Sequence, residues 1–125
     1  MAVTTNYANT ILSALFSGGY IGLSSTEPAA DGTNVTEPSS ENGYARVAAS
    51  TGGFTAANKQ IKNSNYLYFP LATSNWGTCP YLCVFDGNGA TAKLRYYGTL
   101  SNAQAIVADT VPLFRPNALE IHFTD

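Results

Sequence analysis

Residues 78–100 read TCPYLCVFDGNGATAKLRYYGTL. Two runs rich in Tyr, Leu, Val and Phe flank Asp86-Gly87-Asn88-Gly89, whose residues accept the positive φ angles of a tight reversal. The stretch predicts a β-hairpin with strands over 78–86 and 91–100. Outward from it lie further short β-rich pieces at 20–24, 44–50, 65–71, 104–107, 111–114 and 117–123. In the last of these Leu119, Ile121 and Phe123 point one way, toward a core, and Ala118, Glu120 and His122 the other. Many short strands, frequent turn signals and one helical stripe predict a mainly β protein, an antiparallel β-sandwich of jelly-roll-like or Ig-like type.

The exception is the N-terminus. Tyr7, Ile11, Leu12, Leu15 and Phe16 form one helical stripe, with Thr5 or Asn6 as cap and Gly18-Gly19 as terminator. This predicts one short N-terminal helix over 5–17. Its apolar face must dock on the sheet or on a neighbouring subunit, which makes Leu12 and Phe16 docking candidates. The 125 residues suit a single domain, 1–125, with most of the sandwich in 44–125.

Residues 25–43, STEPAADGTNVTEPSSENG, carry four acids and no Lys or Arg. A loop this long in a small domain is functional, assembly-forming or disordered. Thr-Glu-Pro occurs twice in it, at 26–28 and 36–38, and proline stiffens both copies. It reads as a projecting loop that gains order on its own domain or on a neighbour. Glu27, Asp31, Glu37 and Glu41 are therefore docking candidates, and Arg46, just after the loop, is a candidate clamp for it or for a neighbour's loop. On this reading deletion of 28–40 leaves the sandwich folded.

Composition narrows the function. Charged residues make up 11%, and Ser, Thr and Asn together supply 35 of 125. Six basic against eight acidic side chains provide no field for nucleic acid. No apolar run is long enough to span a membrane, and the N-terminal residues lack the basic start of a secretory signal.

Catalytic chemistry is sparse. His122 is the sole histidine and reads as a surface residue beside Glu120, so no triad is expected. Cys79 and Cys83 stand about 13 Å apart in a regular strand, too far for a disulfide, and read as reduced, buried residues. Two Cys and one His leave a zinc site incomplete. Asp31, Asn34 and Glu37 are oxygen ligands that suit calcium, but solvated turn residues are the better reading. A Pro- and Ser-rich loop is a poor mount for a glycosidase carboxylate pair. No cofactor and no enzymatic activity are expected. Tyr66, Tyr68, Trp76, Tyr81, Tyr96 and Tyr97 include rings that suit a sugar platform, although most are expected in the core or a subunit contact.

Several segments together carry a resemblance. They are Tyr20-Ile21-Gly22-Leu23-Ser24 with Glu27-Pro28 and Asp31-Gly32-Thr33, then Asn42-Gly43-Tyr44-Ala45-Arg46-Val47. Phe69-Pro70, Asn75-Trp76-Gly77-Thr78, Val84-Phe85-Asp86 and Tyr97-Gly98-Thr99-Leu100 follow in order. The chain resembles, from about residue 10 to 123, a family of short tailed-bacteriophage virion proteins often called tail fibre proteins. The most specific pieces are Gly-Tyr-Ala-Arg-Val and Trp-Gly-Thr, and neither is catalytic. Tyr44 reads as a strand opener delivered by the Asn42-Gly43 turn, and Trp76 with Gly77 as a plug at one end of the sandwich. The resemblance implies a surface-exposed structural component of the virion, on the tail or decorating the capsid. It further implies a protein made in the host bacterial cytoplasm that works by packing against copies of itself and other virion proteins. The alternative is a carbohydrate- or host-receptor-binding module, with a host-surface glycan as partner.

Overall fold

The computed structural model describes residues 3–123. In chain order the elements are α1 (Thr5–Phe16), β1 (Tyr20–Ser24), β2 (Val47–Ala48), β3 (Phe54–Ala57), β4 (Gln60–Asn63) and β5 (Leu67–Tyr68). There follow β6 (Gly77–Thr78), β7 (Tyr81–Phe85), β8 (Leu94–Thr99), β9 (Ala105–Ile106), β10 (Leu113–Phe114) and β11 (Glu120–His122). Short 3-10 helices occupy Ser40–Asn42 and Ala49–Gly52. The protein is mainly β, every strand pair is antiparallel, and one helix stands near the N-terminus.

A four-stranded sheet in the order β2-β1-β7-β8 and a three-stranded sheet in the order β11-β4-β3 hold most of the pairing. Two ribbons, β10-β5 and β6-β9, complete the set. One core joins them in a sandwich-like arrangement, drawing Ile21, Leu23, Leu82 and Val84 from the larger sheet and Ile61 from the smaller. Leu12 and Phe16 enter the same core from the helix.

The helix is capped by Thr4, one residue before the expected position, whose Oγ1 accepts from the Tyr7 amide. Gly18 leaves the helix at φ 65°. Ala8, Leu12 and Phe16 are buried, and the Phe16 ring stacks on Phe54 of β3 at 4.0 Å. Tyr7, counted in the stripe by spacing, is 63% exposed. The buried stripe runs through Ala8, Leu12 and Phe16, one residue round from Tyr7.

A bulge lies opposite Val84 and Phe85, which pair with Tyr96 and Leu94 and leave Arg95 as the extra residue of β8. Freed from the ladder, Arg95 Nη1 donates to the carbonyls of Ala14, Leu15 and Ser17, the last at 2.7 Å. A cation there satisfies orphan carbonyls and complements the helix dipole.

Two sequence expectations change. The tight hairpin turn is Asn58-Lys59, with φ of 54° and 65°, joining β3 to β4 with Ala57 paired to Gln60. That hairpin was absent from the expected strands. The Asp86–Gly89 stretch instead opens a wider loop, in which Asp86 Oδ1 accepts from the Lys93 amide and the Asp86 amide donates to the Lys93 carbonyl. The expected strand over 44–50 is paired only at Val47–Ala48, because a 3-10 turn starts at Ala49.

Asn63 at the end of β4 is fully buried. Its Nδ2 donates to the carbonyls of Asn65 and Arg115, each at 2.9 Å, and its Oδ1 accepts from the Leu119 amide at 3.0 Å. This amide joins β4 to the turn that follows it, to the turn after β10 and to the start of β11. Asn63→Ala strands those groups and is expected to cost about 2–3 kcal/mol, read by urea unfolding. A loss below about 0.5 kcal/mol contradicts the role.

Candidate functional site

The long acidic segment does not project. Residues 24–36 close on themselves through Ser25 N donating to Thr36 O, Thr36 N donating to Ser24 Oγ, and Asn34 Nδ2 donating to Glu27 O. The two Thr-Glu-Pro copies meet here, with Thr26 Oγ1 donating to Thr36 Oγ1 at 2.9 Å. The second copy then places Glu37 over the outer face of the four-stranded sheet.

That face explains the continuous apolar runs of β1 and β7, each with four of five residues buried. Ile21, Leu23, Leu82 and Val84 look into the core. Gly22, paired with Cys83, looks the other way, toward the strap formed by residues 25–46. A Cβ at Gly22 would stand 2.7 Å from the Tyr44 hydroxyl and 3.0 Å from Glu37 Oε2. Only glycine lets the strap lie this close.

Glu37 is the latch. Its Oε2 accepts from the Tyr44 hydroxyl and from Arg46 Nε, and its Oε1 accepts from Arg46 Nη2 at 2.7 Å. The Tyr44 hydroxyl also accepts from the Leu23 amide at 3.1 Å, where β2 no longer covers the edge of β1. Arg46 lies 3.7 Å from the centre of the Phe85 ring, and its Nη1 donates to the carbonyls of Gly87 and Gly89. One guanidinium thus ties the strap to the β7–β8 loop.

Burial pushes the Tyr44 phenol well above its ordinary range, aided by its bond to the Glu37 carboxylate. Burial also pushes the Cys83 thiol up to about 12, with the Glu37 charge adding to it. The unfolded chain releases these protons near 9.0 and 10.0, while the folded protein keeps them. Stability contributed by the neutral groups is therefore present below about pH 9 and drains as pH rises above it. The melting temperature is expected to fall steadily between about pH 9 and 11; a flat profile across that interval contradicts the buried placement.

The other candidates separate. Leu12 and Phe16 are committed to this chain's own core, since β3 and β4 supply the partner face for the helical stripe. Glu37 and Arg46 bind each other, with side chains 21% and 12% exposed. Glu27, Asp31 and Glu41 remain on the surface. Asp31 accepts from the Thr33 hydroxyl and amide, which hold its carboxyl below the usual range. Among the described residues no three His, Cys, Asp or Glu side chains converge on one point. Cys79 and Cys83 are free and buried, and burial raises the Cys79 thiol as well. His122 Nδ1 stands 3.6 Å from Glu120 Oε1 on an exposed surface. The deletion of 28–40 also changes meaning, because it removes Glu37 and uncovers the sheet.

Trp76 and Tyr44 are core residues. The Trp76 ring meets Tyr44 edge-on at 5.3 Å and Phe69 at 6.5 Å, and its Nε1 donates to the Asn42 carbonyl at 2.8 Å. Gly77 follows at φ 79°.

Sequence reasoning missed a cleft of about 650 Å³ on the opposite side of the larger sheet. Tyr96, Leu100, Ile106, Phe114, Leu119 and Ile121 line it. Its walls include β8 and β11, each the edge strand of its sheet. No local pattern announces it, because its lining comes from seven separate pieces of chain. Among the described residues, no helix is long and apolar enough to cross a membrane.

A family model described as podophage GP4 fiber I protein gp80 matches residues 2–122. No curated protein matches the chain.

Proposed function

The chain belongs to the family of podophage GP4 fiber I protein gp80, and on that premise we propose that it is an outward-facing structural subunit that works by packing against neighbouring virion subunits. The family is one of phage fibre structural proteins, and its match over nearly the whole chain is the observation that carries the reading. The open cleft supports the packing role. It exposes apolar side chains between two strand edges, and such edges need covering. Glu27, Asp31 and Glu41 lie on the surface, where rim contacts with a partner form.

The proposed role is non-catalytic, with no cofactor. In support of it, His122 faces solvent beside Glu120. Head or tail attachment is decided by the particle. The packing role is tested with Ala105→Glu, an exposed residue of β9 on the cleft wall. The variant is expected to melt like the parent, yet to enter particles about tenfold less well in a complementation assay. Normal incorporation contradicts use of the cleft.

A further inference from the structure

The β5–β10 ribbon carries apolar side chains on both faces. Leu67, Phe69 and Phe114 turn inward to the core. The other face holds Tyr66 and Tyr68 on one strand and Val111 and Leu113 on the other, with exposures of 46%, 55%, 45% and 43%. Tyr68 pairs directly with Leu113. An outer face of this kind is ordinarily polar.

The two tyrosine rings stand 5.8 Å apart with an interplanar angle of 18°. Neither hydroxyl has a partner among the described residues. Continuing the register by two residues sets Arg115 opposite Tyr66, and the Asn63 amide ties the Asn65 and Arg115 carbonyls together beside it. Arg115 is exposed, and its guanidinium has no hydrogen-bond or ion-pair partner among the described residues. Arg46 and Arg95, by contrast, each bond to groups within the fold.

We propose that Tyr66, Tyr68 and Arg115 form a binding site for an acidic polysaccharide whose sugars carry carboxylates. Flat amphipathic rings with free hydroxyls suit the apolar face and the hydroxyl rim of a pyranose. A free guanidinium fork suits a carboxylate, which it binds bidentately. A second copy of the chain is a poorer occupant. A two-fold contact would set this face against itself, with the Arg115 cation on both sides of the contact. Val111 and Leu113 also border the cleft, whereas Tyr66, Tyr68 and Arg115 are not part of its lining, and failure of the sugar site leaves the fibre role standing.

The test is an NMR titration of the full chain with tetragalacturonate, against its methyl ester and maltotetraose. Saturable shifts are expected at the Tyr66 and Tyr68 rings and the Arg115 side chain. The neutral sugars are expected to bind about tenfold more weakly or worse. Tyr68→Ala and Arg115→Gln are each expected to weaken binding by about tenfold. Both residues are exposed, so each variant should keep the parent melting curve. Three results would overturn the proposal: no saturable shift up to about 10 mM sugar, affinity indifferent to Arg115→Gln, or Tyr68→Ala dissolving a self-associated form with no effect on sugar.

Discussion

Trp76→Ala is expected to cost about 3–5 kcal/mol and to lower the melting temperature by roughly 10–20 °C. The ring is 8% exposed and meets Tyr44 and Phe69 edge-on. Phe69 in turn packs against Phe114 of β10, so the cavity would open where the strap, β5 and β10 converge. Truncation also strands the Asn42 carbonyl, which accepts from the indole at 2.8 Å. Trp76→Phe separates the terms: it keeps most of the volume and loses that bond, and should cost about half as much. Equilibrium urea unfolding measures both. A cost below about 1 kcal/mol for the alanine variant contradicts the placement of Trp76 in the core.

Glu37→Ala is expected to cost about 3–4 kcal/mol, because removing one partner of a largely buried pair leaves the other uncompensated. Arg46 would keep its charge beneath the strap, and the Tyr44 hydroxyl would lose its acceptor. Glu37→Gln retains an acceptor and the shape, so it should cost less. The double variant with Arg46→Ala should cost less than the two single losses added together, by about 1–3 kcal/mol. Simple additivity would show that the pair is not coupled. Proteolysis reports the same event locally, since a released strap exposes residues 25–36 before the sheet unfolds.

The sequence is most readable where one rule decides. β1 was legible to the residue because its apolar run is bounded by Gly19 and by the Ser-Thr-Glu-Pro that follows. The family likeness lies in pieces that hold the fold together. In Gly43-Tyr44-Ala45-Arg46-Val47, Tyr44 and Arg46 receive Glu37; in Trp76-Gly77-Thr78, Trp76 closes on Tyr44. The β3–β4 hairpin was hidden for a local reason. Thr55-Ala56-Ala57 has weak strand propensity, and Asn58-Lys59 lacks the glycine that usually marks such a turn. Its readable trace was the alternation of Ile61 and Asn63 after a two-residue gap.

Other features depend on distant partners and leave no local trace. Asn63 looks like a turn residue until Leu119 and Arg115 arrive beside it. Asp86-Gly87-Asn88-Gly89 looks like a tight turn, yet Arg46 takes the carbonyls of Gly87 and Gly89 and the loop stays wide. The strap, expected to project and to gain order on its own domain or on a neighbour, lies over its own sheet. Its acids were not separable by sequence, because Glu27 and Glu37 occupy identical Thr-Glu-Pro triplets. Only the sheet beneath distinguishes the one that latches.

The most direct test of the account is the amount of this chain in purified particles, measured by quantitative mass spectrometry against the major shell protein and the portal. A fibre subunit should be present reproducibly, at a copy number well below that of the shell protein and in a fixed ratio to the portal. Absence from washed particles would contradict the structural role, and a copy number equal to the shell protein would contradict the fibre assignment.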